Sequence, residues 1–428
     1  MALHGHLGGF KTTILILACS ILFGFSWASR SYNPPTPLSS LSSKPTDDDG
    51  GSTQDVGAYE GYAATTAKDD DDLRAKDEHG HPRGSRSASI PVGGGGGEEI
   101  AVYETNTSST RHIQHVFIVL HGKRRDGGRY WTIMDEAVRS ARSQDVAGAD
   151  RHTLVVAPRF FSALFDDGLY TGRQLAWADL NAWQAGMRAS HPPGTRQTAI
   201  DALSALVEAY SNRAAYPSVA NVTVVGHGGG GQLAQRFAAV AKEPPPHVHV
   251  RYIHGDPSTS AYFTPDRPAK GEELASCPSY NVWRYGFDSF DSATGEEGTP
   301  REYFSRYISR DVVSLVGLED VEANGDQSCM ARVQGGERRR DRNLAWYKYV
   351  NVLAGTDRDL RGFPGHFGPL PDWSELSNRT INMRLIVVQN ASHDGERLFE
   401  SPDGRSALFY DGRLQRGWRP SRDRVYHG

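Results

Sequence analysis

A glycine-rich turn joins an apolar run to an amphipathic segment near the middle of the chain. Residues 222–225 predict a buried strand, residues 229–240 predict a helix, and the turn between them reads Gly226-His227-Gly228-Gly229-Gly230. A residue at the centre of such a strand-to-helix turn stands exposed above the sheet, where a serine would act as a nucleophile. That position is Gly228 here, so the turn has no atom that could attack a substrate.

His393 and Asp320, which lie much further along the chain, are of the types that activate a nucleophile. His393 follows the apolar run 383–388, and imidazole is the commonest general base. Asp320 follows the run 312–316, where a carboxylate would hold the imidazole in one tautomer and stabilise its cation. Together they would serve acyl transfer.

Two other acidic residues compete with Asp320 for this role. Glu319 precedes it in the same loop, and Asp256 follows the apolar run 248–253, one strand earlier. Asp320 is preferred. For both Asp320 and Asp256, the alternative interpretation is an ordinary aspartate in a turn.

These features resemble the α/β-hydrolase superfamily. From about residue 116 to residue 412 the chain is similar to a secreted or membrane-anchored fungal-type member, with glycine in place of the elbow serine. The order of nucleophile position, acid and histidine along the chain is the order of that fold. The resemblance also implies an oxyanion hole, made by the amide of Gly229 and by the loop Gly122-Lys123 that follows His121.

The missing nucleophile decides which function the sequence predicts. Removing the serine of a hydrolytic triad costs roughly 10^6 in turnover. The resemblance therefore implies a luminal or extracellular hydrolase-fold protein that is catalytically impaired and keeps a pocket for a small-molecule or acyl ligand, or for a partner. The alternative is an active carboxylic-ester hydrolase, in which His393 activates water or Ser258, Thr259 or Ser260 replaces the serine.

An anchored glycosyltransferase is a third class, because it shares the layout of anchor, stem and luminal domain. Metal-dependent enzymes of that type need an Asp-x-Asp motif at the end of a folded strand. Here the matches lie in a predicted linker and in the loop Asp357-Arg358-Asp359, with no convincing strand before them. This class is disfavoured, and neither a metal nor a cofactor is expected.

The pattern of the chain from Ile100 onward predicts an α/β fold, with a mostly parallel central sheet, helices on both faces and a cap insertion. Strands are predicted at residues 116–120, 153–157, 222–225, 248–253, 312–316 and 383–388. Helices are predicted at residues 130–143, 196–211, 229–240, 301–309 and 338–352. Residues 257–299, rich in Pro, Gly, Ser and Tyr, are the predicted cap.

The N-terminal part of the chain differs in composition from the predicted domain. Residues 1–29 predict a signal peptide or signal anchor, residues 30–97 a disordered linker, residues 98–412 the hydrolase-like domain and residues 413–428 a tail. Contact with a membrane is expected only through the first segment, which would place the domain in the secretory pathway.

The charge of the chain gives no reason to expect nucleic acid. The formal net charge is −4 over 428 residues. The basic cluster at residues 338–342 is interpreted as a solvated helix start. The sequence leaves the oligomeric state open.

Cys277 and Cys329 are the two cysteines of the predicted domain and form a natural disulfide in a secretory compartment. The N-glycosylation sequon at Asn221 opens a core strand, and we expect this asparagine to be too buried for glycosylation. Glycosylation is expected at the loop sequons of Asn106, Asn378 and Asn390.

Overall fold

An eight-stranded sheet runs through the computed structural model, which describes residues 81–94, 97–149, 151–179, 181–294, 297–409 and 420. Its strands are β1 (Ser85–Pro91), β2 (Glu99–Thr105), β3 (His115–Leu120), β4 (Thr153–Arg159), β5 (Asn221–His227), β6 (His249–Gly255), β7 (Asp311–Gly317) and β8 (Arg384–Val388). Across the sheet they lie in the order β1-β2-β4-β3-β5-β6-β7-β8. Only the pairs that include β2 are antiparallel, so the sheet is mostly parallel, as predicted.

Helices cover both faces of this sheet. In chain order they are α1 (Gly127–Ser143), α2 (Ala199–Tyr210), α3 (Gly229–Val240), α4 (Gly271–Ala275), α5 (Phe290–Thr294), α6 (Pro300–Ser309), α7 (Cys329–Arg332), α8 (Arg339–Leu353), α9 (Gly395–Glu400) and α10 (Pro402–Phe409). A 3-10 turn at Ser374–Leu376 and a two-stranded pair at Phe161–Ser162 and Ala176–Trp177 complete the elements.

The central strands are buried on both sides, which explains their continuous apolar sequences. In β3, Val116 and Ile118 pack into one core with α2, α3, α6 and α8, whereas Phe117 and Val119 pack into a second core with α1, α9 and α10. Because successive side chains of a strand point to opposite faces, both sets must be apolar.

The predicted linker is wrong at its C-terminal end. Strand β1 lies inside the range 30–97 and pairs with β2 along its whole length. Ala88 and Ile90 are the apolar residues of β1 that pack against the core, whereas Ser87, Ser89 and Pro91 are exposed, and this alternation makes the segment resemble a polar linker. The folded domain therefore begins before Glu98.

Other terminal predictions fall outside the described part of the chain. These are residues 1–29, the linker up to residue 80 and, apart from Pro420, the tail 413–428. Among the described residues, no helix combines the length and the apolar character needed to cross a bilayer.

The segment between β6 and α6 holds the predicted insertion, residues 257–299, and carries the short helices α4 and α5. A disulfide joins Cys277 in this segment to Cys329 at the start of α7, which confirms the predicted pair. That the insertion caps a ligand site stays a prediction.

Loss of this disulfide should destabilise the domain. The bond closes a loop with a sequence separation of 52 residues, and its removal frees that loop in the unfolded chain. Replacing both cysteines, Cys277→Ser with Cys329→Ser, should lower the free energy of unfolding by about 2–4 kcal/mol in urea titrations. An unchanged unfolding midpoint, or two free thiols in the denatured wild-type protein by mass spectrometry, would contradict this.

Candidate functional site

The turn between β5 and α3 is closed too tightly for side chains at two of its glycines. A Cβ on Gly226 would overlap the carbonyl of Gly230, and a Cβ on Gly230 would overlap the carbonyl of Leu120 at the end of β3. These two positions correspond to the outer glycines of the elbow motif. The fold therefore requires them whether or not the turn carries a nucleophile.

Gly228 lies at the centre of this turn with φ +56° and ψ −112°. Glycine adopts this conformation freely, whereas another residue would be strained by about 1–3 kcal/mol. A Cβ at this position would lie 3.1 Å from Nε2 and 3.4 Å from Cε1 of His393. The imidazole of His393 therefore faces the space that a serine side chain would use.

His393 is held from its other side by Asp320. Its Nδ1 lies 3.0 Å from Oδ2 of Asp320. Because an ionised carboxylate only accepts hydrogen bonds, Nδ1 carries the proton and Nε2 keeps its lone pair toward Gly228. The structure thus brings together Gly228, Asp320 and His393, the three positions predicted from the sequence.

A buried arginine balances the charge of Asp320. Burial acts to raise the pKa of Asp320, but the hydrogen bonds from His393 and Arg339 outweigh it, and the pKa lies below its usual value. Arg339 donates two of these bonds, from Nε at 3.0 Å and from Nη2 at 2.8 Å. Burial also lowers the pKa of His393, against the opposing effect of the bond to Asp320, which favours the neutral imidazole.

The role of Arg339 corrects the interpretation of the basic cluster. Helix α8 begins at Arg339, close to the predicted start, and Arg338 before it is exposed, but Arg339, Arg340 and Arg342 are buried. Arg339 and Arg342 are each 2% exposed. Arg339 pairs with Asp320, and Arg342 donates to backbone carbonyls, including those of Ser258 and Asp326. Such long-range partners leave no mark in the local sequence.

The two competing acids occupy different surroundings. Glu319 is exposed and does not reach His393 through any hydrogen bond in the described structure. Asp256 is fully buried, and its Oδ1 accepts the amide of Gly317 at 2.9 Å. Burial and the charge of Asp320 raise the pKa of Asp256 well above its usual value. Of the three candidates, Asp320 is the one that contacts His393.

Two residues of the site were not identified from the sequence. His227, the residue before Gly228, packs against His393 with ring centroids 4.4 Å apart. Its Nδ1 shares a hydrogen bond of 2.8 Å with the hydroxyl of Tyr130 in α1. His227 stands next to the nucleophile position, which was a usable signal, whereas Tyr130 lies 97 residues away.

A buried histidine shapes the predicted oxyanion loop. The amide of Phe160 donates to Nε2 of His121 at 3.1 Å, so the ring proton must lie on Nδ1, which donates to the carbonyl of Gly122 at 2.9 Å. This bond fixes the loop that leads to Lys123, which is exposed. The roles of Gly122, Lys123 and Gly229 as oxyanion donors stay predictions.

The residues that the sequence suggests as replacement nucleophiles form hydrogen bonds with residues other than His393. Thr259 donates its hydroxyl to Gln232 at 2.6 Å, and the backbone of Ser260 exchanges two hydrogen bonds with the side chain of Gln334. No hydrogen bond in the described structure joins His393 to Thr259, Ser260 or Ser258, all of which are buried.

The predicted glycosylation sites are accessible. The half-buried Asn221 opens β5, in line with its lower expected reactivity. Exposed asparagines stand at Asn106, Asn378 and Asn390.

A cavity of about 420 Å³ lies away from this site. It is lined by His115, Asn221, His249, Asp311 and Arg384, the first residues of five parallel strands. Gly228, Asp256, Asp320 and His393 instead follow the last residues of strands, at the opposite edge of the sheet. The cavity is therefore not part of the candidate site.

The chain resembles several solved hydrolases in three dimensions. A poly(3-hydroxybutyrate) depolymerase, LpqC from Bordetella parapertussis, is 19% identical, with a TM-score of 0.49 over 77% of this chain and 92% of that chain. Poly(aspartic acid) hydrolase-1 from Sphingomonas sp. KT-1 is 17% identical, with a TM-score of 0.48 over 74% and 96%. Carboxyl esterase 2 from the fungus Tuber melanosporum is 11% identical, with a TM-score of 0.37 over 78% and 86%. No protein-family model matches the sequence, and no curated protein matches it.

These likenesses are too distant to indicate an activity, and the chain's own geometry identifies the fold. The elbow follows β5, Asp320 follows β7 and His393 follows β8, all at the carboxyl edge of a mostly parallel sheet. The chain has the α/β-hydrolase fold. Gly228 stands at the centre of the turn between β5 and α3 in this fold.

Protonation of His121 should destabilise the domain in acid. Burial lowers the pKa of His121 from 6.5 to about 4. As the pH falls below 6.5, the unfolded chain gains a proton before the folded one, so stability is lost progressively down to the folded pKa. Between about pH 7 and pH 4.5 this residue alone should account for a loss of about 2–3 kcal/mol.

Urea unfolding of wild type and His121→Asn at both pH values measures this contribution. The variant should lose less stability on acidification by that amount, although it is less stable at neutral pH. Equal losses in the two proteins would show that His121 does not titrate between the folded and unfolded states as its burial implies.

Proposed function

We propose that this protein is a luminal or extracellular α/β-hydrolase-fold protein that does not work as a serine hydrolase and binds a small-molecule or acyl ligand at the carboxyl edge of its sheet. The observation that carries the proposal is that Nε2 of His393 faces Gly228 and, among the described residues, forms no hydrogen bond with a hydroxyl group. A general base needs a proton to remove within hydrogen-bond reach.

The residues around the elbow favour binding over acyl transfer. Among the described residues, Asp320 is the hydrogen-bond partner of His393, and no serine, threonine or cysteine takes the place of the nucleophile. The imidazole is one-third exposed, so it is accessible to a ligand from solvent. The positive charge of nearby Lys123, which contributes to lowering the pKa of His393, would favour a ligand with an anionic or carbonyl group.

The location of the protein is part of this proposal. The disulfide between Cys277 and Cys329 suits an oxidising compartment, and the exposed sequons suit passage through the secretory pathway. Anchoring or cleavage of residues 1–29 would complete this route.

A weak ester hydrolase is the second candidate, favoured by the retained contact between His393 and Asp320. An imidazole oriented in this way can act on water in place of a serine hydroxyl. Such an activity would depend on His393 and would be slow, because water is not held in position by a covalent bond to the elbow.

Restoring the hydroxyl should restore turnover. In Gly228→Ser, the exposed ring of His393 must shift by a few tenths of an ångström to admit the new Cβ, which lies 3.1 Å from Nε2. Hydrolysis of activated short-chain esters should rise at least about 100-fold over wild type, part of the roughly 10^6 that a triad serine supplies. The variant should also be less stable by about 1–3 kcal/mol because of its backbone conformation.

Gly228→Ala is the matched control, since it adds the same Cβ and the same backbone strain without the hydroxyl. It should remain as inactive as wild type, and combining Gly228→Ser with His393→Ala should abolish the gain. Wild-type turnover comparable to that of ordinary esterases would refute the proposed function.

A further inference from the structure

Two buried polar atoms beside Gly228 lack a hydrogen-bond partner in the described structure. They are Nε2 of His227 and Oδ2 of Asp256. His227 is 4% exposed and Asp256 is fully buried, so ordinary solvent does not satisfy them. A buried polar group that is left without a partner is destabilising, and a charged group more so. Some species absent from the polypeptide is expected to contact them.

His393 contributes a third potential ligand atom to this cluster. His227, Asp256 and His393 each offer one ligand atom, and these atoms lie within 4.8 Å of one another. Nε2 of His227 lies 3.9 Å from Oδ2 of Asp256. Ligands of a tetrahedral zinc ion, at bond lengths of about 2.0–2.1 Å, lie roughly 3.4 Å apart. To reach that geometry, the ligand atoms would have to move closer to one another by roughly 1–1.5 Å at most.

Each of the three ligands is already oriented through its other polar atom. Nδ1 of His393 donates a hydrogen bond to Asp320. Nδ1 of His227 shares a hydrogen bond with the hydroxyl of Tyr130. Oδ1 of Asp256 accepts a hydrogen bond from the amide of Gly317. Outer partners of this kind fix the tautomer and ring orientation of metal-binding histidines in proteins. The arrangement leaves Nε2, Nε2 and Oδ2 for an ion.

Asp320 and Asp256 differ in their charged partners. Arg339 balances Asp320 through two hydrogen bonds. In the described structure no arginine or lysine forms an ion pair with Asp256, whose nearest basic group is the ring of His227.

The absence of a side chain at Gly228 leaves Nε2 of His393 uncrowded. A Cβ there would stand 3.1 Å from Nε2 of His393 and would crowd its lone pair. The same substitution that removes the nucleophile thus frees a nitrogen ligand.

We propose that His227, Asp256 and His393 bind a divalent first-row transition ion, Zn²⁺ being the best match, in the space that their side chains enclose beside Gly228. Two imidazoles and one carboxylate are a ligand set that zinc accepts, and three protein ligands leave a fourth position for water or a ligand. The inference rests on the proposed function, because it requires that this space is not used by a nucleophile. It replaces the expectation from the sequence that no metal binds.

Zinc titration of the full chain tests the proposal. The protein is produced through a secretory pathway, solubilised if it stays anchored, stripped of metal with a chelator and titrated with Zn²⁺ by calorimetry. Wild type should bind one ion per chain at the site. Asp256→Asn, which keeps the shape of the side chain, should weaken binding at least about 100-fold, and Tyr130→Phe should weaken it about 10–100-fold by removing an outer partner.

Two further variants test whether zinc binds at this site or at other histidines of the protein. Gly228→Ser should weaken binding by crowding His393, whereas His366→Ala, which removes an exposed histidine, should bind as wild type does. Thermal unfolding without metal establishes that each variant is folded, and Co²⁺ should give the visible absorption of a four-coordinate ion in wild type and lose it in Asp256→Asn.

Absence of stoichiometric binding in folded wild type would overturn the metal site, as would binding unchanged by Asp256→Asn. Ester hydrolysis by wild type, measured with and without chelator, is read separately. Ordinary turnover that persists in chelator refutes the proposed function without bearing on the titration. An inert protein that binds no zinc refutes the metal site and leaves the proposed function standing.

Discussion

The absence of room for side chains at Gly226 and Gly230 is the constraint on which the rest of the site depends. Their backbones approach the neighbouring strand and helix so closely that β5 must run directly into α3. All twelve residues of α3 are buried, so the helix cannot move without opening the core. Position 228 is therefore held at the carboxyl edge of the sheet by packing, independently of any catalytic use.

Around this fixed point, the loops after β6, β7 and β8 bring Asp256, Asp320 and His393 together. Arg339 lets Asp320 remain ionised although it is buried, and Asp320 in turn fixes the tautomer of His393. This is the support that a catalytic base needs. With glycine at position 228, however, the supported imidazole faces His227 and Asp256 instead of a hydroxyl. This geometry is the basis of our proposal that the site holds a ligand and does not transfer an acyl group.

The sequence predicted best those features whose residues lie close together along the chain. The buried parallel strands were predictable because each is apolar on both faces, and helix α3 was predicted with the bounds that it has in the structure. Strand β1 was missed because one of its faces is polar, and α9 and α10 were missed because they are short. The contact of Asp320 with His393 could be anticipated from their positions after successive strands. The contacts of Arg339 and Tyr130 could not, because they join distant parts of the chain.

Covalent labelling with a fluorophosphonate tests most directly whether the site is a hydrolase site that lacks only its nucleophile. The reagent reacts with serine hydroxyls that a neighbouring histidine activates, and mass spectrometry with peptide mapping identifies the modified residue. Wild type should remain unmodified, whereas Gly228→Ser should gain one adduct at position 228. A stoichiometric adduct on a serine of the wild-type protein, or a folded Gly228→Ser protein that does not react, would contradict this account.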